Sequence, residues 1–434
     1  MLRGFESHTL RHIIEGSCVS YSSKNVYREP FARHSTLRGK SPVAGFFKGL
    51  AFIVSAVLVA AAGVGAYAYQ EYFGTLQSNS VTLAGQEVGA ADIEVLPDEE
   101  INILVAGIDK CEAEWIGQFE GRCTEEMAAE QENSYSGQLN DVNMLIHISP
   151  EPRRVTVISI PRDLVTARPE CQDIDGNTTA AASAMPFNES YGTGGLACVA
   201  LTAEELTGYH IDHAALMTWG GVIDVTNAIG GVEVCIAQPI QDPIHTHLDL
   251  AAGEHTLVGV EALQFLRVRH GVGDGSDLSR ISNQQVYMGA LVRKLVSDET
   301  LGDFGALLRL ANAVVHNTTL DDALAKPSTM VSIASALKDV PTSEYEFIQF
   351  PYVEYAPNPN KVAPDTYTWE QIKAALDAGQ SVIADDTATE EPTDEPTETP
   401  TVEPTTDPNQ IVLPSNIRGS SADEATCSNS GTIF

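Results

Sequence analysis

Four arginines stand at positions where their chemistry is unlike that of a surface residue. The 434-residue chain carries 59 Asp/Glu against 25 Lys/Arg, a formal net charge of −34. Arg162 leaves the carboxyl edge of an apolar run in the sequence VTVISIPRD, where α/β sheets place their ligands. Arg267 and Arg269 end an apolar helical pattern in ALQFLRVRH. Arg280 lies four residues before Gln284, on one face of the longest helical pattern and opposite the apolar stripe expected from Ile281, Met288, Leu291, Val292 and Leu295. That helix opens in GVGDGSD, a glycine-rich loop whose backbone amides can meet an anion at the helix start. Four guanidinium forks, a carboxamide and a helix N-terminus suit bidentate binding of a phosphate or pyrophosphate. Any one of these arginines also has an ordinary reading as the partner of a surface carboxylate.

Two aspartates form a second set. Asp109 follows the run INILVAGI and Asp141 opens VNMLIHI, so both sit at strand edges. Two carboxylates meeting at neighbouring strand ends would hold a Mg²⁺ (or Mn²⁺) that bridges phosphate oxygens. The plain alternative is that each caps a turn. His245 and His247 could share a strand face as metal ligands, although a loop with two solvated histidines is the simpler reading. No G-x-S-x-G elbow and no recognisable Cys/His pair is present, so a covalent protein nucleophile is not indicated. Asn177 and Asn317 fit the N-glycosylation pattern.

These residues need an α/β scaffold to bring them together, and the hydropathy pattern supplies one. Strands are expected over 101–107, 142–148 and 155–160, the last two as a hairpin with Arg153-Arg154 in its turn. Thr202 and Glu205 read as a capping box opening a short helix, and 215–229 as a second helix ending at Gly230-Gly231. A strand over 232–236, helices over 259–266 and from about 276 to 296, and a late strand at 347–350 complete the pattern. The mixture predicts helices packed on a mixed sheet.

Two segments lie outside that domain by composition. The run 49–69 holds 21 residues without a charge, long enough to span a bilayer as one transmembrane helix. Residues 1–48 carry eight Lys/Arg and three acids, whereas 70–434 carry 17 Lys/Arg and 56 Asp/Glu. The positive-inside bias places 1–48 in the cytoplasm and the long remainder outside the membrane. A polar stalk is expected over 70–98 and the main domain over 99–383. Of residues 385–408, 22 of 24 are Asp/Glu, Thr or Pro, which cannot bury a core, so 384–408 reads as a disordered linker before a tail over 409–434. The acidity argues against nucleic-acid binding. Six of the seven cysteines fall outside the membrane, which favours disulfides. Cys111 with Cys123 and Cys171 with Cys198 are plausible staples, leaving Cys235 and Cys427, but six cysteines allow fifteen connectivities.

The ordered series INILVAGID, LNDVNMLIHI, VTVISIPRDL, FNESYGTGG, DVTNAIGGVEV, LAAGEHTLVGVEALQFLRVRH and DGSDLSRISNQQ resembles the LytR-CpsA-Psr family over roughly 99–300, with weaker likeness to about 383. The resemblance implies an α/β/α sandwich with a mixed central sheet, anchored in the cell membrane with its domain in the Gram-positive envelope. It implies a transferase that moves a polyprenyl-pyrophosphate-linked glycopolymer, of teichoic-acid, arabinogalactan or capsule type, onto a peptidoglycan sugar hydroxyl and releases polyprenyl phosphate. By position, the family's phosphate-binding arginines fall on Arg162, Arg267, Arg269 and Arg280, its glutamine on Gln284, and its magnesium-binding aspartates on Asp109 and Asp141. Asp163 and Asp277 match further acidic positions whose role is open. Asn283 stands where many members have Arg, and Asn140 where many have Arg or Ser; asparagine donates hydrogen bonds but carries no charge.

In that reading the catalytic work falls on Arg162, Asp141, Arg267 and Arg269, since phosphoryl transfer needs positioning and charge neutralisation more than covalent help. A prenyl chain would need an apolar slot, for which Leu216, Val222, Val225 and Leu263 are candidates. A polyprenyl-pyrophosphate hydrolase, with water as acceptor, and a non-catalytic lipid-binding envelope regulator are the competing classes.

Overall fold

The computed structural model describes residue 74, residues 78–84 and residues 100–428, with breaks at 120–122, 133, 174, 274, 276, 298–299, 301, 384–409, 415–416 and 418. The expected membrane helix over 49–69, the segment 1–48, most of the stalk and the 384–408 linker therefore lie outside the described residues. Among the described residues no helix is long and apolar enough to cross a membrane.

The strands that position the site are β1 (Ile101–Ile108), β2 (Asn140–Ile148), β3 (Val155–Ser159), β4 (His213–Met217), β5 (Val232–Ile236), β6 (Gly253–Leu257), β7 (Thr318–Leu320), β8 (Tyr345–Gln349), β9 (Ser381–Ile383), β10 (Gln410–Val412), β11 (Gly419–Ser421) and β12 (Cys427–Ser428). The helices are α1 (Glu125–Gln131), α2 (Ser190–Thr207), α3 (Trp219–Ala228), α4 (Val260–Arg267), α5 (Asp277–Leu295), α6 (Phe304–Asn317), α7 (Pro327–Leu337) and α8 (Thr366–Asp377). Among the described residues, seven strands form one sheet in the order β7-β4-β1-β2-β3-β8-β11. β1 with β4 and β3 with β8 are parallel, and the other neighbours are antiparallel, so the sheet is mixed.

Side chains alternate across this sheet and each face buries its own set. Leu104, Leu145 and Ile158 pack against Leu196, Val199 and Ala203 of α2 and against Trp369, Ile372 and Leu376 of α8. On the other face Ile103, Ile148, Val157 and Phe347 meet Ile333 and Leu337 of α7 and Met288 and Val292 of α5. The expected α/β/α sandwich is therefore the fold. A smaller sheet, β6-β5-β12, packs on α4 and α5 around Val232, Ile236, Phe265 and Tyr287.

Three local expectations are corrected. Thr202 opens no helix: it lies inside α2, and its hydroxyl donates to the Cys198 carbonyl one turn back at 2.7 Å. The apolar residues Leu196 and Val199 pull the preceding segment into the same helix, broken only at Gly194-Gly195. Gly195 sits at φ +65°, and a Cβ on Gly194 would meet the Gln172 carbonyl at 2.6 Å, so the kink needs both glycines. Residues 215–229 are not one helix, because 213–217 pair in parallel with β1 and only then does Thr218 cap α3. Finally, among its described side chains α5 shows no polar face opposite an apolar stripe. It is wedged between two cores, so Met288 shares the row of Arg280 and Gln284, while Asn283, Gln285 and Tyr287 are buried beside other elements.

The tail folds back onto the domain. β10 pairs with β9, β11 closes the edge of the main sheet on β8, and β12 pairs with β5. Disulfides join Cys111 to Cys123, Cys171 to Cys198 and Cys235 to Cys427, and the last fixes β12 in place.

A buried histidine on β2 sets an acid limit on this fold. His147 is 1 % exposed, hydrogen-bonds Asn102 through Nδ1 at 2.9 Å and packs on the Tyr209 ring. Burial lowers its pKa from 6.5 to about 4, so the unfolded chain binds the proton more readily than the folded one. The sign follows from linkage: this contribution is complete above pH 6.5 and is lost as pH falls towards 4, amounting to about 3 kcal/mol at most. Urea unfolding at pH 7 and pH 4.5 should therefore show a smaller acid loss for His147→Gln than for the wild type. An equal loss would remove His147 from the account.

Candidate active site

Strand directions bring the candidate residues to one edge of the main sheet. β1 ends at Ile108 where antiparallel β2 begins, and β3 returns to the same edge. The pairing slips by one residue between Gly107 and Ile108, so Asp141 is the extra residue of a bulge next to Asp109. Bulges of this kind re-aim a side chain. Pro161 and Arg162 follow β3 there, and Thr218 and Trp219 follow β4. The parallel pairing of β4 with β1 makes the last pair land beside Asp109.

A cavity of about 340 Å³ opens at this edge, and Asp109, Asp141, Arg162, Arg267, Arg269, Arg280 and Gln284 all line it. All seven residues singled out from the sequence are thus brought together. Arg267 and Arg269 reach it from one side because Val268 between them is extended and fully buried. Arg280, 4 % exposed, donates through Nη2 to the Asp141 carbonyl at 2.9 Å and ties α5 to β2. One turn on, Gln284 donates to the Leu266 carbonyl at 3.0 Å, near the end of α4.

The carboxylates are held in place. Asp141 accepts from Arg162 Nη1 at 3.0 Å on one oxygen and from Asn188 Nδ2 at 3.2 Å on the other. Asp109 accepts the indole N–H of Trp219 at 2.7 Å, and the Arg267 guanidinium lies over the same Trp219 ring, 3.9 Å from its centroid. Trp219 therefore orients one carboxylate and one guanidinium of the site. Its own position is set by Thr218, which caps α3, and by Glu112, which accepts from the Gly220 amide at 2.7 Å and from Thr218 Oγ1 at 2.8 Å. A side chain at Gly220 would displace Glu112, since a Cβ there falls 2.5 Å from its Oε2.

Both asparagines that depart from the family pattern are structural. Asn140 is fully buried, donates to Asn143 and the Phe187 carbonyl, and accepts from the Tyr191 amide, which fastens the start of α2. Asn283 is 1 % exposed and pairs with Ser428 of β12, away from the cavity lining. Neither takes the place of a phosphate contact. Residues 274 and 276 and the side chain of Asp277 lie outside the described residues, so the expected amide cradle at the start of α5 is not described.

The loop reading of the two histidines holds, and both are exposed. Residues 243–246 form a turn rather than a strand, so His245 and His247 do not share a face. His245 lines the cavity and stacks on His270, with ring centroids 4.1 Å apart. Asp242 holds that turn through the His245 and Thr246 amides. Of the residues suggested for an apolar slot, Val222 and Leu263 line the cavity, together with Val142, Met144, Met217 and Met288. Leu216 belongs to the sheet core instead, and Val225 is not part of the lining. Asn317 already donates its amide to Asp224 and to the Ala313 carbonyl.

For a divalent cation, the donor set fits partial coordination. Among the described residues no group of three or more His, Cys, Asp or Glu is placed to hold a metal alone. Asp109 and Asp141 line the cavity together, and both are carboxylates of the kind that ligate hard cations through oxygen. Mg²⁺ is commonly held this way, by one or two carboxylates plus water and substrate phosphate.

The model of the LytR_cpsA_psr family matches residues 67–380. The chain belongs to the LytR-CpsA-Psr family. It is similar to the cell wall biosynthesis protein LcpA of Corynebacterium glutamicum, with 27% identity over 348 residues, covering 76% of this chain and 63% of that protein. The chain thus spans less than two thirds of that relative's length. It is also 25% identical over 288 residues to the polyisoprenyl-teichoic acid–peptidoglycan teichoic acid transferase TagU of Bacillus cereus, covering 64% of this chain and 81% of that enzyme. A solved structure of a Streptococcus agalactiae protein superposes with a TM-score of 0.50 at 18% identity, over 64% of this chain and 87% of the other, and shares the fold.

Proposed function

We propose that this LytR-CpsA-Psr protein transfers a glycopolymer from a polyprenyl pyrophosphate carrier to a sugar hydroxyl of peptidoglycan, at the outer face of the membrane. The observation that carries the reading is the convergence of Arg162, Arg267, Arg269, Arg280 and Gln284 on one cavity that apolar side chains also line. Cationic forks suit a pyrophosphate, and Val222, Leu263 and Met288 suit the first prenyl units. The transferase name of the Bacillus cereus relative supports the same class of reaction.

In this mechanism the acceptor hydroxyl attacks the phosphorus next to the glycan, a phosphodiester forms, and the bond to polyprenyl phosphate breaks. The hydroxyl proton passes to a cavity carboxylate. Arg162 and the Arg267–Arg269 pair neutralise the oxygens of the departing phosphate, where fixed charges need no reorganisation. Asn188 and Trp219 keep Asp141 and Asp109 aimed into the cavity. A Mg²⁺ or Mn²⁺ held by Asp109 and Asp141 would supply further charge neutralisation on the pyrophosphate.

The uncharged run 49–69 fits a retained anchor, with 1–48 in the cytoplasm. Tethering confines the search for a lipid-linked donor to two dimensions. The reading is tested by extracting lipid from the purified full-length chain and recording its mass spectrum. A co-purifying polyprenyl phosphate or pyrophosphate is expected, depleted in Arg267→Ala. Lipid content equal in wild type and variant would count against the cavity as the carrier site.

A further inference from the structure

Asp163 is part of the PRD sequence, yet it does not line the cavity. Its carboxylate lies behind Arg162, between two cations. Oδ2 is 3.3 Å from Arg162 Nε, and Oδ1 accepts from Lys361 Nζ at 2.6 Å. Arg162 in turn holds Asp141 at 3.0 Å, and Asn188 closes the series on the other Asp141 oxygen. The signs alternate from Lys361 through Asp163 and Arg162 to Asp141. These side chains are largely buried, with exposures of 25 % for Lys361, 23 % for Asp163, 17 % for Arg162 and 14 % for Asp141.

Lys361 reaches this place because its segment is docked by backbone. It immediately precedes Val362–Pro364, which pairs with Tyr352–Glu354. The Val362 amide donates to the Asp163 carbonyl at 3.3 Å, and Leu164 bridges Val362. The lysine therefore arrives beside the PRD turn at a sequence separation of 198.

We propose that Lys361, acting through Asp163, is a positioning residue for Arg162, an inference that rests on the pyrophosphate site proposed above. A guanidinium binds a carboxylate best through two parallel N–H bonds. An Asp163 without a second cation would draw Arg162 into that bidentate geometry, turning its fork away from Asp141 and from the cavity. With Lys361 taking one carboxylate oxygen, Arg162 faces the other through Nε at 3.3 Å, an ion pair without hydrogen-bond geometry, and keeps Nη1 on Asp141. Lys361 thus sets the orientation, and the charge left to share with a ligand, of the arginine that meets the pyrophosphate.

The test uses the full-length chain in detergent micelles and undecaprenyl pyrophosphate as the probe. Lys361→Met is expected to weaken binding about tenfold, the size of effect found for residues coupled in one ion-pair network. Lys361→Arg should restore binding to about wild-type affinity, because it returns a cation to Asp163. The double variant Lys361→Met/Arg162→Ala should bind no more weakly than Arg162→Ala alone, since the lysine acts only through that arginine. Full affinity in Lys361→Met, or effects that multiply in the double variant, would overturn the proposal. Lys361→Gln gives the same comparison should the methionine variant fold poorly. A crystal structure of either variant decides the point independently: Arg162 is expected to leave Asp141 and pair through two nitrogens with Asp163, and an unmoved Arg162 would overturn it. If the wild type fails to bind the probe, the pyrophosphate site is wrong, while the Arg162 position in that crystal still decides the role of Lys361.

Discussion

Replacing Arg162 by alanine is expected to reduce polymer transfer by about a thousandfold, the range seen when one fixed donor to a developing anion is removed. The side chain has two tasks. It presents a guanidinium to the cavity, and it neutralises both Asp141 and Asp163, 3.0 and 3.3 Å away. Truncation leaves Asp141 without its ion-pair partner in the site proposed for a pyrophosphate, so a repulsive term is added to the lost attraction. Lysine keeps the charge but has no planar fork and cannot span the two aspartates, so Arg162→Lys should still lose ten- to a hundredfold, as flagged by the general contrast between the two side chains. Initial rates of polymer transfer, compared at equal thermal midpoints, check both figures. A loss of less than tenfold for the alanine variant would move the chemistry away from Arg162.

The second large effect concerns stability. Cys235→Ser with Cys427→Ser should lower the free energy of unfolding by about 5 kcal/mol, the loop-closure value for a link of this length. The bridge joins residues 192 apart and fixes β12 beside β5. β12 carries Ser428, the buried partner of Asn283 on α5, so its release exposes polar groups on the helix that supplies Arg280 and Gln284. Urea unfolding of oxidised wild type and the double variant measures the change. A difference below about 1 kcal/mol would mean that strand pairing holds the tail without the bridge.

The site was more legible in the sequence than the fold details around it. Each arginine alone could pair with a surface carboxylate, but all four stand at the ends of apolar runs or beside glycine-rich sequence, and strand ends converge where antiparallel neighbours meet. That logic placed Asp109, Asp141 and Arg162 at one edge, and α4 and α5 brought the rest to the same cavity. The helices were less legible where tertiary packing outweighed local pattern. Thr202 has the spacing of a cap but sits inside α2, and 215–217 read as helix but pair with β1.

The supporting residues could not be read because they act across long separations. Trp219 lies 110 residues from Asp109, and Lys361 198 from Asp163; no periodicity encodes such pairs. Asn140 and Asn283 looked like lost phosphate contacts because only their family positions were visible. Their partners, the start of α2 and the tail strand, appear only once the chain has folded.

The central claim is a transfer, not a hydrolysis, and one assay separates the two. The full-length chain, reconstituted in vesicles, is given a radiolabelled glycopolymer on polyprenyl pyrophosphate together with peptidoglycan. The expected result is label covalently attached to peptidoglycan, released by phosphodiester cleavage, with one polyprenyl phosphate formed per polymer attached. Polymer released into solution with a free terminal phosphate and no label in the peptidoglycan would contradict the claim.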